Sequence, residues 1–422
     1  MRILQVTDSF SPAVGGVERY VEALGNRLSA LGHTVGVCTS AARGSAAVEL
    51  LGQVEVFRLP SLTGSLRPVP DGTVTYLPTF VDPVFAAKLW GVIDRWRPDV
   101  VHAHGWSLHS CLPAVRHHGV PLVASLHEYG LICPKKTLTR ASGRTCREGM
   151  SASGCTKCGR EQYGGLLKSA ALSVPLALSR PDRWPISQFV ANSPYVADAV
   201  SRHSLIDRSR ITVVPPSTLS AADLGGPSPD EDRIDPQFDL PPRPFILYVG
   251  AMSRNKGIEV LLEARRMMRD PWPLVILGAT RRHSFPRDDD AGVVVFADVP
   301  HRQVMWAWRR AGIGVVPSVW PEPFGQVAVE CMAAGAPVVV SDTGGLGNLV
   351  EHGSTGLKVP PGEPVALAAA LDRLAEDDSL RRRLGEAGRA TCAELTVEAT
   401  TAQMASIYES VLTEAGASVT SA

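Results

Sequence analysis

Short apolar runs rich in Val and Ile recur along the chain, each followed by a segment of helical spacing, and this alternation most restricts the fold. Residues 2 to 7 read as a buried strand. It runs into "GGVERYVEALGNRLSALG", where Val17, Tyr20, Val21, Leu24 and Leu28 fall on one helical face before a closing glycine. Repeated strand–helix pairs predict parallel sheets built from βαβ units. Further strands are expected at "HTVGVCT", "VEVFRL", "DVVHAH", "PLVASLH", "QFVANS" and "ITVVPP". Residues 218–242 are rich in Pro, Asp and Gly without a sustained period, which predicts a linker. The alternation then restarts, with strands at "FILYVG", "PLVILG", "GVVVFAD", "GIGVVPS" and "PVVVSD". The expected organisation is α/β, with two Rossmann-like doubly wound domains over 1–217 and 243–395. Residues 396–422 are expected to form a C-terminal helix, from about Thr396 to Glu414, that returns to the first domain.

Forty-two basic side chains balance forty-two acidic ones in 422 residues, so no global field draws the chain to nucleic acid. No run approaches the roughly 18 apolar residues of a membrane span. The opening "MRILQVTD" lacks the apolar run of a signal peptide. These features predict a cytoplasmic protein with at most peripheral membrane contact.

In open parallel sheets, ligands bind beyond the carboxyl ends of the strands. Four loops in such places carry chemistry. "DSFSPAVGG" ends in Gly15 and Gly16 at a helix start, where amides and the helix dipole attract an anion. "AMSRNKG" brings Arg254 and Lys256, "VWPEPFG" brings Glu322, and "TGGLG" brings Gly344 and Gly345. A glycine after a strand is ordinarily only a turn. Three such loops in one half make a stronger argument, because together they supply amides, two cations and two carboxylates. That inventory suits a nucleoside diphosphate joined to a polyhydroxyl group. A helix from about Gly325 to Ala334 puts Gln326 and Glu330 on one face, since i and i+4 are neighbours. For an isolated helix that face would be solvated. Glu322 just before it argues instead for two carboxylates at one helix entrance, and a carboxylate can accept both hydroxyls of a ribose.

The block "PSVWPEPFGQVAVECMAAGAPVVVSDTGG" resembles glycosyltransferase family 4, the retaining nucleotide-sugar transferases of GT-B fold, with "EPFGQVAVE" as their Glu-x7-Glu signature. "YVGAMSRNKGIEVLLEA", "VHAH", "SLHE", "ANS" and "VVPP" stand in the family's order, so the likeness runs over nearly the whole chain. The resemblance implies two domains facing a central cleft and sugar transfer from a nucleotide-diphosphate donor, UDP- or GDP-linked, to a hydroxyl acceptor. It implies that Glu330 binds the ribose, Glu322 and His127 contact the transferred sugar, and Lys256 neutralises the diphosphate. It further implies that Gly16 approaches the donor, and that Phe324 and Gly325 offer amides. By itself His127 would read as a hydrogen-bonded core histidine. Three departures stand out: Ala251 where the family often has Arg, with Arg254 as its expected substitute; Asn348 in place of an acid; and Glu128 in place of Asp. No aspartate cluster suited to a divalent ion is evident, so transfer is expected to need no metal or other cofactor.

Between His127 and residue 165 lies an insertion with Cys133, Cys146, Cys155 and Cys158, closing in Cys-x2-Cys. One such knuckle favours a structural zinc, with an iron–sulfur cluster or metal-free cysteines left open. Lys135, Lys136 and Arg140 of this insertion ordinarily read as a solvated loop. Following His127 directly, they are expected to overhang an acceptor that is anionic or lipid-linked. The apolar stretch 164–179 is too short to span a membrane and reads as a helix covering the first sheet, rather than one lying on a bilayer. Rival functions are a phosphorylase on the same scaffold, a catalytically decayed metal-bearing binding module, and a dehydrogenase. The last is disfavoured because no G-x-G-x-x-G follows a predicted strand.

Overall fold

In the computed structural model, which describes residues 1–13, 15–42, 44–63, 76–224, 238–242, 244–278 and 291–420, the chain divides into two units. One is Met1–Thr218 with Val397–Ala422, the other Leu219–Thr396. The expected linker lies partly outside the described residues, at 225–237. Its flanks are structured, because Leu219 and Phe238 are buried in the second unit's core.

The first unit holds an eight-stranded sheet. Its strands are β1 (Arg2–Thr7), β2 (Thr34–Ser40), β3 (Val48–Leu51), β4 (Val54–Leu59), β5 (Val100–His104), β6 (Leu122–Leu126), β7 (Gln188–Ala191) and β8 (Ile211–Val213), in the order β3-β4-β2-β1-β5-β6-β7-β8. All neighbours are parallel except β3 against β4. The strand β3 was not read from the sequence, since four residues with two exposed apolar side chains give too short an alternation. Crossovers include α1 (Gly16–Ala30), α2 (Pro83–Trp96), α3 (Ser107–His118), α4 (Ala152–Gly159), α5 (Leu166–Leu178) and α6 (Pro194–His203). Leu24 and Leu28 of α1 pack with Ile3, Val35 and Val100 of the sheet in a core that also takes Met404, Tyr408 and Val411.

The second unit holds a six-stranded, all-parallel sheet: β9 (Ile246–Val249), β10 (Leu274–Leu277), β11 (Val293–Phe296), β12 (Ile313–Val316), β13 (Val338–Ser341) and β14 (Leu357–Val359), in the order β11-β10-β9-β12-β13-β14. Its helices include α7 (Ile258–Met267), α8 (His301–Arg310), α9 (Gln326–Ala333), α10 (Gly344–Leu349), α11 (Pro364–Glu376) and α12 (Asp378–Thr391). Alternate strand residues feed two cores. Leu247, Val275 and Leu277 face one side, and Ile246, Leu274 and Ile276 the other. A sheet buried on both faces explains the unbroken apolar runs that made these strands readable. The final helix α13 (Val397–Thr420) runs past its expected end at Glu414.

Candidate functional site

In the second unit the chain builds from β9 outward to β10 and β11, then crosses to β12 on the other side of β9. Loops that leave two such strands flank the crevice where open parallel sheets hold ligands. The loop after β9 carries Lys256 and the loop after β12 carries Glu322. Lys256 Nζ donates to both carboxylate oxygens of Glu322, at 2.9 and 2.8 Å. Ser318 Oγ and Trp320 Nε1 each donate to Glu322 Oε2 at 3.0 Å. These bonds offset the cost of burying the carboxylate and hold it in one orientation. Ser318 and Trp320 escaped the sequence reading, since nothing in their spacing marks them as donors to Glu322.

The loop is pressed into place from behind. Gly344 opens α10 at φ +58°, and a Cβ there would lie 2.5 Å from Glu322 N and 2.6 Å from Pro321 C. Gly345 N–H donates to the carbonyl of Glu322 at 2.6 Å. The glycine pair lets a helix end approach the backbone of the glutamate loop. Phe324 is buried in the core below, and Gly325, at φ +103°, caps α9. Glu330 on α9 is only 4% exposed, so its face is not solvated. Its Oε1 lies 3.1 Å from Nε2 of His301, at the start of α8. Arg254 lies at the surface of the loop that carries Lys256. Its side chain is 86% exposed, and its Nε donates to Glu259 at 3.2 Å.

In the first unit the corresponding reversal lies between β1 and β5. Asp8, just after β1, accepts from Trp106 N–H at 3.1 Å and Ser107 N–H at 2.6 Å, and so caps α3. Lys136 reaches in from the cysteine insertion, with Nζ 3.4 Å from Asp8 and 3.2 Å from Glu128. The rings of Tyr76 and Trp106 cover it at 3.8 and 4.2 Å. Of the three basic side chains expected in a solvated loop, Lys136 turns inward while Arg140 stays exposed. Lys136 is buried as an internal counter-ion, Lys135 donates to the Thr139 carbonyl at 2.8 Å, and Arg140 pairs with Glu148. Clustered carboxylates need a cation more than the solvent does.

Burial pushes the Asp8 carboxyl up to about 6, against the pull of Lys136 and the two amides. An acid whose pKa is raised on folding favours the protonated form. Its contribution to stability is therefore full below about 3.8 and lost as pH rises through about 6. Removing the Lys136 charge with Lys136→Met should move the Asp8 titration higher and carry this loss to higher pH. Carbon-detected titration of Asp8 in both proteins checks it, and an unmoved midpoint refutes the counter-ion role.

His127 is 7% exposed, and its Nε2 shares a hydrogen bond with His104 Nδ1 at 2.8 Å. His102 stands beside His104 and bonds Ser125 and Tyr408, each at 2.7 Å. Burial lowers His127 to about 4 and His102 to about 3, so this row is uncharged near neutrality. Asn192 of "ANS" donates to the His127 carbonyl at 3.0 Å. The expected sugar-contacting histidine is thus also part of a buried network. At Gly15 and Gly16 the carboxylate of Glu18 folds back over the start of α1, so tightly that a Cβ on Gly15 would overlap it. Burial first, then Asp8, raises the Glu18 pKa.

Cys133, Cys146, Cys155 and Cys158 are free and partly buried. Among the described residues no group of three or more His, Cys, Asp or Glu is placed to hold a metal ion. Cys146 Sγ instead bonds the Glu148 carbonyl at 3.7 Å. As arranged, the four cysteines do not form the expected zinc site.

Residues 14–218 match the family described as Glycosyltransferase Family 4, and residues 230–391 the one described as Glycosyl transferases group 1. The D-inositol 3-phosphate glycosyltransferase of Paenarthrobacter aurescens is 30% identical over 390 residues, covering 88% of this chain and 87% of the relative. The chain belongs to glycosyltransferase family 4. This glycosyltransferase is also 26% identical over 415 residues to glycogen synthase of Mycobacterium tuberculosis, across 92% of the chain and 89% of the relative. Among solved structures, sucrose-phosphate synthase from Thermosynechococcus elongatus superposes with a TM-score of 0.71 at 24% identity, covering 98% and 99% of the two chains. HepE of Anabaena, solved in complex with UDP-glucose, gives 0.66 at 21% identity, covering 97% and 100%. These likenesses show the fold, the GT-B pairing of two parallel-sheet α/β domains. Among the described residues no helix is long and apolar enough to cross a membrane.

Proposed function

We propose that this glycosyltransferase moves a sugar from a nucleotide-diphosphate donor to a hydroxyl acceptor, with retention of configuration and without a metal ion. The observation that carries the reading is the buried carboxylate of Glu322, held by Lys256 in the loop before α9, with a second buried carboxylate, Glu330, one turn into that helix. When the donor enters, Lys256 exchanges Glu322 for the diphosphate. Glu322, still oriented by Ser318 and Trp320, then accepts hydroxyls of the transferred sugar, and Glu330 accepts the ribose diol. The acceptor oxygen bonds to the anomeric carbon as the bond from that carbon to the phosphate oxygen breaks. The electron pair leaves with the phosphate, which takes the hydroxyl proton. Stabilisation of the developing charge by a fixed ammonium and backbone dipoles is worth several kcal/mol in such sites. HepE's complex with UDP-glucose and relatives named for inositol phosphate and glycogen support a nucleotide-sugar donor and a hydroxyl acceptor.

Calorimetry with UDP, GDP, ADP and dTDP tests the reading. One nucleotide should bind selectively, and Glu330→Gln should weaken it by about tenfold or more, the worth of a charge-assisted hydrogen bond. Binding of inorganic phosphate alone would replace this reading with a phosphorylase. Turnover should also persist at its full rate in excess chelator. A strict magnesium requirement would overturn the metal-free assignment.

A further inference from the structure

The helix α5 is built inside out. Its inward face consists of Ser169, Ser173 and Leu176, all buried. Ser169 Oγ donates to the Thr156 carbonyl of α4 at 2.8 Å, and a Cβ on Gly159 would overlap Ser169 Oγ, so small residues let the two helices touch. Thr79 Oγ1 donates to the Leu172 carbonyl at 2.7 Å and ties the helix down. Apart from Leu176, the larger apolar side chains are left at the outside or edge of the helix. Leu167, Ala171, Val174 and Leu178, spaced four, three and four apart, lie opposite the serines on a helix of 3.6 residues per turn. Leu167 is 88% exposed, Leu178 74% and Leu166 50%. The helix expected over 164–179 is present, and it turns Ser169, Ser173 and Leu176 inward while Leu166, Leu167 and Leu178 protrude.

Charge concentrates at the same place. Residues 133–183 hold ten basic and three acidic side chains, a formal surplus of seven in a chain whose total is zero. Lys168 lies on α5 itself, Lys157 on the helix packed against it with Arg160 at that helix's C-terminal cap, and Arg180 and Arg183 just beyond the end of α5, all exposed. An apolar stripe flanked by cations is what binds an interface of acyl chains and anionic headgroups. A second copy of this chain would bring the same positive surplus against itself.

We propose that the outer face of α5 docks this protein on an anionic membrane surface. The leucines enter the headgroup boundary while Lys157, Arg160 and Lys168 meet lipid phosphates. The mode is peripheral, since α5 has only 13 residues. Docking is independent of the donor reading and is tested without substrate.

The test is cosedimentation of the full chain with vesicles of equal parts phosphatidylglycerol and phosphatidylcholine, beside vesicles of phosphatidylcholine alone, at low and physiological salt. Binding is expected to the first and not the second, and to weaken with salt. Leu167→Ser with Leu178→Ser should lower partitioning at least about tenfold. Lys157→Gln, Arg160→Gln and Lys168→Gln together should lower it about a hundredfold. All five positions are exposed, so melting temperature and calorimetric nucleotide binding should stay at wild-type values in both variants. Failure to sediment with anionic vesicles at low salt overturns the proposal. So does undiminished binding by the leucine variant, or sedimentation equilibrium showing a dimer that the leucine variant breaks.

Discussion

Lys256→Met is expected to lower kcat/KM by about a thousandfold, with melting temperature falling as well. Two effects add. On the proposed mechanism the diphosphate loses a cation, and removing one fixed donor to developing charge costs a factor of about 10²–10³ in comparable sites. Glu322 is also left buried with only Ser318 and Trp320 as partners. Breaking a buried pair by deleting one member typically costs about 3–5 kcal/mol, and here about 1–3, since the Lys256 side chain is 33% exposed. The second substitution Glu322→Gln separates the two effects. In the double variant the stranded charge is gone, so stability should return towards wild type while activity stays lost. Steady-state kinetics and thermal melts of the single and double variants decide it. A Lys256→Met enzyme with wild-type turnover would remove the ammonium from the site.

Gly344→Ala should damage both the stability of the second unit and the placement of the Glu322 loop. The residue sits at φ +58°, where a side chain costs about 1–2 kcal/mol. Its new Cβ would also overlap the backbone of Glu322, and overpacking of that kind costs about 1–3 kcal/mol more. The sum corresponds to a fall in melting temperature of roughly 4–20 °C for a unit of this size. Displacing the loop by about 1 Å should also cost about a hundredfold in turnover. Gly353→Ala is the control, because its φ is +79° but nothing stands within 4 Å of the added methyl. It should show the conformational cost alone and keep full turnover. Equal effects at the two glycines would mean that close packing against Glu322 is not what Gly344 provides.

Every strand expected from an apolar run is present, because a sheet covered on both faces demands such runs and leaves little else they could form. The two strands missed, Val48–Leu51 and Leu357–Val359, are short, and the first is an edge strand paired through an adjacent turn. Glu322, Glu330 and Lys256 were legible because proline, glycine and charge cluster immediately after strands. Asp8, Glu18, His301, Ser318 and Trp320 were not, since each acquires its partner only where separate loops converge. Lys136 shows the limit most plainly. Within a basic run it reads as solvated, yet it is drawn inward by Asp8, 128 positions away in the chain.

The sequence by itself determined two α/β halves, the order of their strands along the chain, and the loops in which the carboxylates and cations must appear. Period and turn chemistry are local, and a reader of the chain has them in full. Only the tertiary structure decided who pairs with whom: Lys256 with Glu322, His301 with Glu330, Lys136 with Asp8 and Glu128. It also decided which side of α5 faces outward. Hydropathy ranks leucine as the side to bury, but the close contact of Ser169 with Gly159 is available only to small residues, and that contact turns Leu166, Leu167 and Leu178 out.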